Sequence, residues 1–246
     1  MIKFILSISV VVILGIYTIF SDLVCFLIRD KEKVLNYNYK VVRFVFNLVL
    51  KIDGISIEVF GKENLDRLAK DEPIFIISNH RGYFDILTGY KVLDRNCCIV
   101  AKDSLAKIPI LGYWMKKINC LFLDRKNLRS GATMVLNAIK YINEGRSVWI
   151  FPEGTRNTNS DPTEILPFRA GVFKIPEKTN CYIVPMAIYN SDEVFEKHMP
   201  RVKATKVKIA IGEAYKISEL GEGDRLNIDK YSENKIRQLL SSMKER

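Results

Sequence analysis

The run NHRGYFD at 79–85 places His80, one of two histidines in the chain, five residues ahead of Asp85. An aspartate bonded to one imidazole nitrogen fixes the tautomer and stabilises the imidazolium, which leaves the other nitrogen to take a proton from an alcohol. Positions five apart on an unbroken helix point about 140° away from each other, so a working pair needs a turn, and Gly82 permits one. With Asp85 on the first turn of a following helix, its carboxylate folds back to the ring. The same spacing also suits a helix-start aspartate beside a structural histidine. No G-x-S-x-G elbow supplies a protein nucleophile, so the dyad reads as activating a hydroxyl of the substrate.

A second polar turn, FPEGTRN, follows the apolar run SVWIF. Pro152, Gly154 and Thr155 suit a tight turn with exposed N–H groups, Arg156 offers a planar fork for phosphate, and Glu153 can accept from a hydroxyl. Asp124 and Arg125 close the run CLFL, and Lys102 closes CCIVA, which completes a possible cationic cup. Taken singly, each also reads as a surface turn, a strand-end ion pair or a solvated lysine.

These groups need elements that bring them together. Beyond residue 50, ISIEVFG, PIFIIS, CCIVAK, CLFL, SVWIF, CYIVPMAIY and KVKIAIG read as strands, and ENLDRLAK, FDILTGYKVL, IPILGYWMKKI, SGATMVLNAIKYINEG and DKYSENKIRQLLSSMKER as helices. The alternation predicts an α/β fold with a mixed central sheet flanked by helices, and His80 then sits at the carboxyl end of a buried strand, where open sheets carry their sites. No repeat or linker divides 51–246, which is read as one domain after an N-terminal segment at 1–50.

The 246 residues are 48% apolar and carry a net charge of +10, enough apolar mass for a packed core and too little bias for disorder or coiled coil. Lys3, Asp22 and Arg29 are the only charges in the first 29 residues, so the excess sits on the body and suits lipid phosphates, phosphorylated donors or an acidic carrier protein. Nucleic acid is excluded as a partner because the aromatics lie inside apolar runs and no recognised module is present. The five cysteines form no CxxC pair and read as reduced core residues, with no metal site expected.

Residues 4–21 carry no charge, and 18 residues of helix reach roughly 27 Å, close to a hydrocarbon core. No small-residue cleavage site follows, so the leader is expected to remain attached and to insert in a membrane. It either spans the bilayer or forms a hairpin in one leaflet bent near Gly15 and Asp22. The cationic flank after it places the body on the cytoplasmic face. Residues 37–50 read equally as an amphipathic helix on the bilayer surface and as a core-facing helix.

In their order, NHRGYFD at 79–85, CLFLDR at 120–125, FPEGTR at 151–156 and IVPMAI at 183–188 resemble the four blocks of the glycerolipid acyltransferases, specifically those acting on 1-acylglycerol-3-phosphate. The resemblance extends over about 73–190. It implies that His80 is the base and Asp85 its orienting partner, that Lys102, Arg125, Glu153, Gly154, Thr155 and Arg156 bind the phosphorylated glycerol, and that the fourth block, with Pro185, shapes the apolar side of the site. It further implies transfer of a fatty acyl group from acyl-coenzyme A or acyl carrier protein to lysophosphatidic acid, giving phosphatidic acid without a metal or bound cofactor. The same blocks serve enzymes that acylate glycerol-3-phosphate or other lysophospholipids. A membrane-docking protein without catalytic activity is the reading from a different class, favoured by the cationic flank. The second block usually opens with Gly where this chain has Asn119, which leaves the acceptor open.

Overall fold

Ile74, Phe75, Ile76 and Ile77 are fully buried, with Ile74 and Ile76 in the core on one side of the sheet and Phe75 and Ile77 in the core on the other. An unbroken apolar run is what a strand covered on both faces requires. The computed structural model describes residues 2–245. In chain order its elements are α1 (Ile2–Ile28), α2 (Lys31–Asp53), β1 (Ser56–Phe60), α3 (Lys62–Asp66), β2 (Ile74–Ser78), α4 (Phe84–Val92), β3 (Cys97–Lys102), α5 (Pro109–Lys117), β4 (Leu121–Leu123), α6 (Leu128–Asn143), β5 (Ser147–Ile150), α7 (Lys174–Thr179), β6 (Tyr182–Tyr189), β7 (Lys206–Ile211), α8 (Glu222–Leu226) and α9 (Ile228–Lys244).

The strands form one seven-stranded sheet in the order β1-β7-β6-β2-β5-β3-β4. Among the described strands only β6 and β7 pair antiparallel, which makes the sheet mixed. Helices α2, α4 and α5 supply Tyr39, Val42, Leu50, Phe84, Tyr90 and Trp114 to one core, and α6, α7 and α9 supply Met134, Ile142, Ile175, Ile236 and Leu240 to the other. Trp149 of β5 reaches Ser78 Oγ through Nε1 at 2.9 Å, and a Cβ at Gly89 would come 2.2 Å from its ring. Glycine there lets α4 lie close on the sheet, which sets the position of Asp85 one helical turn away on the same face. The α/β expectation and all seven strands are met.

Two expectations for the N-terminal segment resolve differently. The hairpin bent near Gly15 and Asp22 does not form, because α1 runs unbroken through both residues and the chain reverses at Arg29 and Asp30. Asp22 needs no break: Lys117 Nζ pairs with it at 2.6 Å, and Tyr113 donates to it at the same distance. Residues 37–50 belong to α2 and turn one side, with Tyr39, Val42, Val49 and Leu50, to the core, where the Tyr39 hydroxyl donates to the Ile118 carbonyl at 2.9 Å, while Phe44 stays exposed on the other side. All five cysteines are free thiols; burial pushes those of Cys97 and Cys120 up to about 12.

Candidate active site

At the centre of the sheet β6, β2 and β5 lie parallel and adjacent, so the polar segments that follow them meet at one edge. The parallel strands β3 and β4 bring Lys102 and Arg125 out along the same edge. Asn79 fixes the exit of β2, accepting from the Ile188 N–H and donating to the Ile188 carbonyl, both at 2.8 Å.

His80 Nδ1 lies 2.7 Å from Asp85 Oδ2, and that oxygen also accepts the N–H groups of Arg81 at 2.7 Å and Gly82 at 2.9 Å. The turn thus wraps its backbone around a buried carboxylate on the first turn of α4. A carboxylate opposite Nδ1 assigns the proton to that nitrogen and the lone pair to Nε2, which bonds no described residue. The ring stacks on Phe151 with centroids 4.1 Å apart, and its side chain is 16% exposed.

Glu153 is 4% exposed, and its two oxygens accept the N–H groups of His80 at 2.7 Å and Leu166 at 2.8 Å. Burial pushes its pKa from 4.5 up to about 7; the two N–H bonds oppose the rise and the Asp85 charge adds to it. The folded protein therefore holds a proton on Glu153 across an interval where the unfolded chain has lost it, and ionisation there costs stability. As pH rises through that interval, wild-type stability is expected to fall by about 3 kcal/mol relative to Glu153→Gln. Thermal unfolding of both proteins against pH measures the gap, and parallel curves would refute it.

Arg156 Nη1 lies 3.3 Å from Glu196 Oε1, and its guanidinium sits 4.2 Å from the centroid of the Tyr83 ring. Gly154 has a φ of 71°, and a Cβ there would come 2.5 Å from Arg169 Nε, so the turn needs glycine twice over. The Arg125 pKa is pushed below its ordinary value, by burial first and then by the charges of Arg169 and Arg156. Three guanidinium groups thus share one edge, and among the described residues Glu196 is the one carboxylate paired with any of them. Such a cluster suits an anion with several oxygens. Lys102 and Thr155 are exposed there, with no hydrogen bond or ion pair to a described side chain.

A protein-family model described as Acyltransferase matches residues 56–189, which takes in all four blocks. The chain belongs to this acyltransferase family. Among its relatives, the 1-acyl-sn-glycerol-3-phosphate acyltransferase of Borreliella burgdorferi is 30% identical over 207 residues, 84% of this chain and 80% of that one. The enzyme of the same name from Saccharomyces cerevisiae is 29% identical over 178 residues, 72% of this chain and 56% of its own. The crystal structure of the 1-acyl-sn-glycerophosphate acyltransferase from Thermotoga maritima superposes with a TM-score of 0.77 at 23% identity, covering 99% of this chain and 98% of that one, so the two share a fold.

Within the acyltransferase frame, Asn119 proves a mild departure. Its φ is 57°, the left-handed conformation that glycine adopts freely and asparagine tolerates, so asparagine can occupy a position suited to glycine. Sequence reading passed over four residues that the fold draws in. Arg81 is buried and reaches Asp192 Oδ2 through Nε at 3.0 Å and Nη2 at 2.7 Å, while Nη2 also donates to the Asn159 carbonyl at 2.7 Å. Asn79, Arg169 and Glu196 are the others. Arg81 and Asn79 stood inside the first block, which marked their neighbourhood but not their distant partners; nothing local marked Arg169 or Glu196.

Proposed function

We propose that this acyltransferase moves a fatty acyl group from an acyl thioester to the sn-2 hydroxyl of 1-acylglycerol-3-phosphate, giving phosphatidic acid and a free thiol. The observation that carries the reading is the oriented His80–Asp85 pair beside the Arg125, Arg156 and Arg169 cluster. The names of the relatives from Borreliella burgdorferi and yeast support the acceptor. The acceptor hydroxyl gives its proton to His80 Nε2 as its oxygen attacks the thioester carbonyl. The carbon–sulfur bond then breaks, and the imidazolium returns the proton to the departing thiolate. Asp85 stabilises the imidazolium between these steps. Arg125 and Arg156 grip the phosphate, with Gly154 and Thr155 shaping the turn and Lys102 at the rim. Glu153 positions the loop through the backbone N–H groups that its two oxygens accept. Acyl-coenzyme A and acyl carrier protein both fit a basic rim as donors.

Acyl transfer from each labelled donor to lysophosphatidic acid in mixed micelles tests this reading. Arg156→Ala is expected to raise the acceptor KM by about 10- to 100-fold, the worth of a lost charge-assisted contact, with a smaller effect on the donor KM. Equal effects on both substrates would overturn the phosphate assignment.

The leader is assigned to one leaflet of the membrane, with the body on the cytoplasmic face. α1 is long and apolar enough to cross a bilayer, yet it is held to the body along its length. Ser7 donates to Asp53 at 3.1 Å near one end, Trp114 Nε1 donates to Thr18 at 2.9 Å further along, and Asp22 pairs with Lys117. Spanning would drag these polar groups into hydrocarbon. Its outer side exposes Ile5, Ile13, Ile16, Ile19 and Phe26, an apolar strip suited to lipid. Tryptophans placed singly at Ile5, Ile13 and Ile19 are expected to be quenched alike by shallow brominated lipids; a deep centre with shallow ends would indicate spanning.

A further inference from the structure

Glu196 lies beyond the family match, on the segment after β6, and its carboxylate reaches back over the first-block turn. Oε1 accepts the Tyr83 N–H at 2.7 Å and lies 3.3 Å from Arg156 Nη1. Oε2 is buried without a partner, and a Cβ at Gly82 would come 2.6 Å from it, so the carboxylate is pressed against the turn that carries His80. The Tyr83 ring supports the Arg156 guanidinium from below. Phe195, the preceding residue, lies against Tyr83 with centroids 6.3 Å apart and stacks on Phe4 of α1 at 5.6 Å. An arginine left free must be ordered when an anion binds, whereas this one is confined between a ring and a carboxylate beforehand. Its single contact with Glu196 leaves other N–H groups for a ligand.

We infer that Glu196 is a positioning residue for the acceptor: with Tyr83 it clamps Arg156 in the plane that receives the acceptor phosphate. This rests on the phosphate role proposed above for Arg156. The clamp acts on acceptor affinity and leaves the proton transfer at His80 alone. Glutamine keeps a carbonyl oxygen for both the Tyr83 N–H and Arg156, so charge at position 196 matters less than reach.

The test is steady-state kinetics with 1-acylglycerol-3-phosphate in mixed micelles. Glu196→Ala is expected to raise the acceptor KM about tenfold, with kcat and donor KM within about twofold, and Glu196→Gln to restore most of the affinity. In an Arg156→Ala background, Glu196→Ala is expected to add nothing. Should the alanine variant not fold, Glu196→Asp, too short to reach Arg156, must show the same rise in KM. If Arg156→Ala raises the acceptor KM but Glu196→Ala leaves it unchanged, or acts as strongly without Arg156, the clamp is wrong while the phosphate site stands. If Arg156→Ala itself leaves the acceptor KM unchanged, the phosphate assignment fails and the clamp falls with it.

Discussion

Replacing His80 by alanine is expected to lower kcat for acyl transfer by about 10² to 10⁴-fold, the range that a positioned general base contributes. The fold should survive the change. Asp85 Oδ2 would lose the imidazole but keep the N–H groups of Arg81 and Gly82, so the turn retains the carboxylate that organises it. The mostly buried ring, stacked on Phe151, leaves a small gap beside that aromatic rather than a stranded charge. Asp85→Asn is expected to give a related loss by another route. The amide can hold its oxygen toward the same N–H groups, but it carries no charge to stabilise an imidazolium. Its NH₂ would also occupy the place of Oδ1, which is buried with no partner. Assays of both variants with labelled acyl thioester, alongside thermal unfolding, separate lost chemistry from lost fold. Wild-type transfer by His80→Ala would sink the base mechanism.

The largest expected effect on stability belongs to Arg81→Ala, at about 3–5 kcal/mol, the cost of leaving one half of a buried ion pair unmatched. Asp192 would keep Lys197 at 3.3 Å, a half-exposed lysine in place of a guanidinium bonded through two nitrogens. The carbonyl of Asn159 would also lose its donor. Burial pushes Asp192 up, but the bond and charge of Arg81, aided by Lys197, outweigh it and hold the carboxyl below 3.8. Its folded pKa is therefore depressed, so the pair stabilises the fold above the unfolded value and that contribution fades as pH falls through the folded one. The gap in urea midpoint between wild type and Arg81→Ala is expected to be full near neutrality and to narrow in acid. A double variant, Arg81→Met with Asp192→Leu, should cost less than Arg81→Ala alone, because no charge is stranded. A single variant as stable as wild type at neutral pH would show that the pair does not hold the loops together.

The first block illustrates how far local pattern reaches. The spacing of His80, Gly82 and Asp85 already implied the turn that joins ring and carboxylate, because the constraint acts within one bend of chain. Arg81 sits in that same block, and its role was illegible there, since its partner Asp192 lies 111 residues away across the end of β6. Glu153 was read as a hydroxyl acceptor. In the fold each of its oxygens also accepts a backbone N–H, a use that depends on where residues 80 and 166 arrive.

What the sequence by itself determined were the seven strands, the α/β layering, the dyad and the arginine-bearing turns. Each follows from periodicity, apolar run length or motif spacing, all of which act between residues a few positions apart. Tertiary structure alone decided the rest: that α1 runs unbroken with Asp22 paired to Lys117, that α2 turns one side to the core, and that Arg169 and Glu196 join the site. A charge's environment depends on what folding packs against it, and those neighbours come from distant parts of the chain, where no local pattern carries the information.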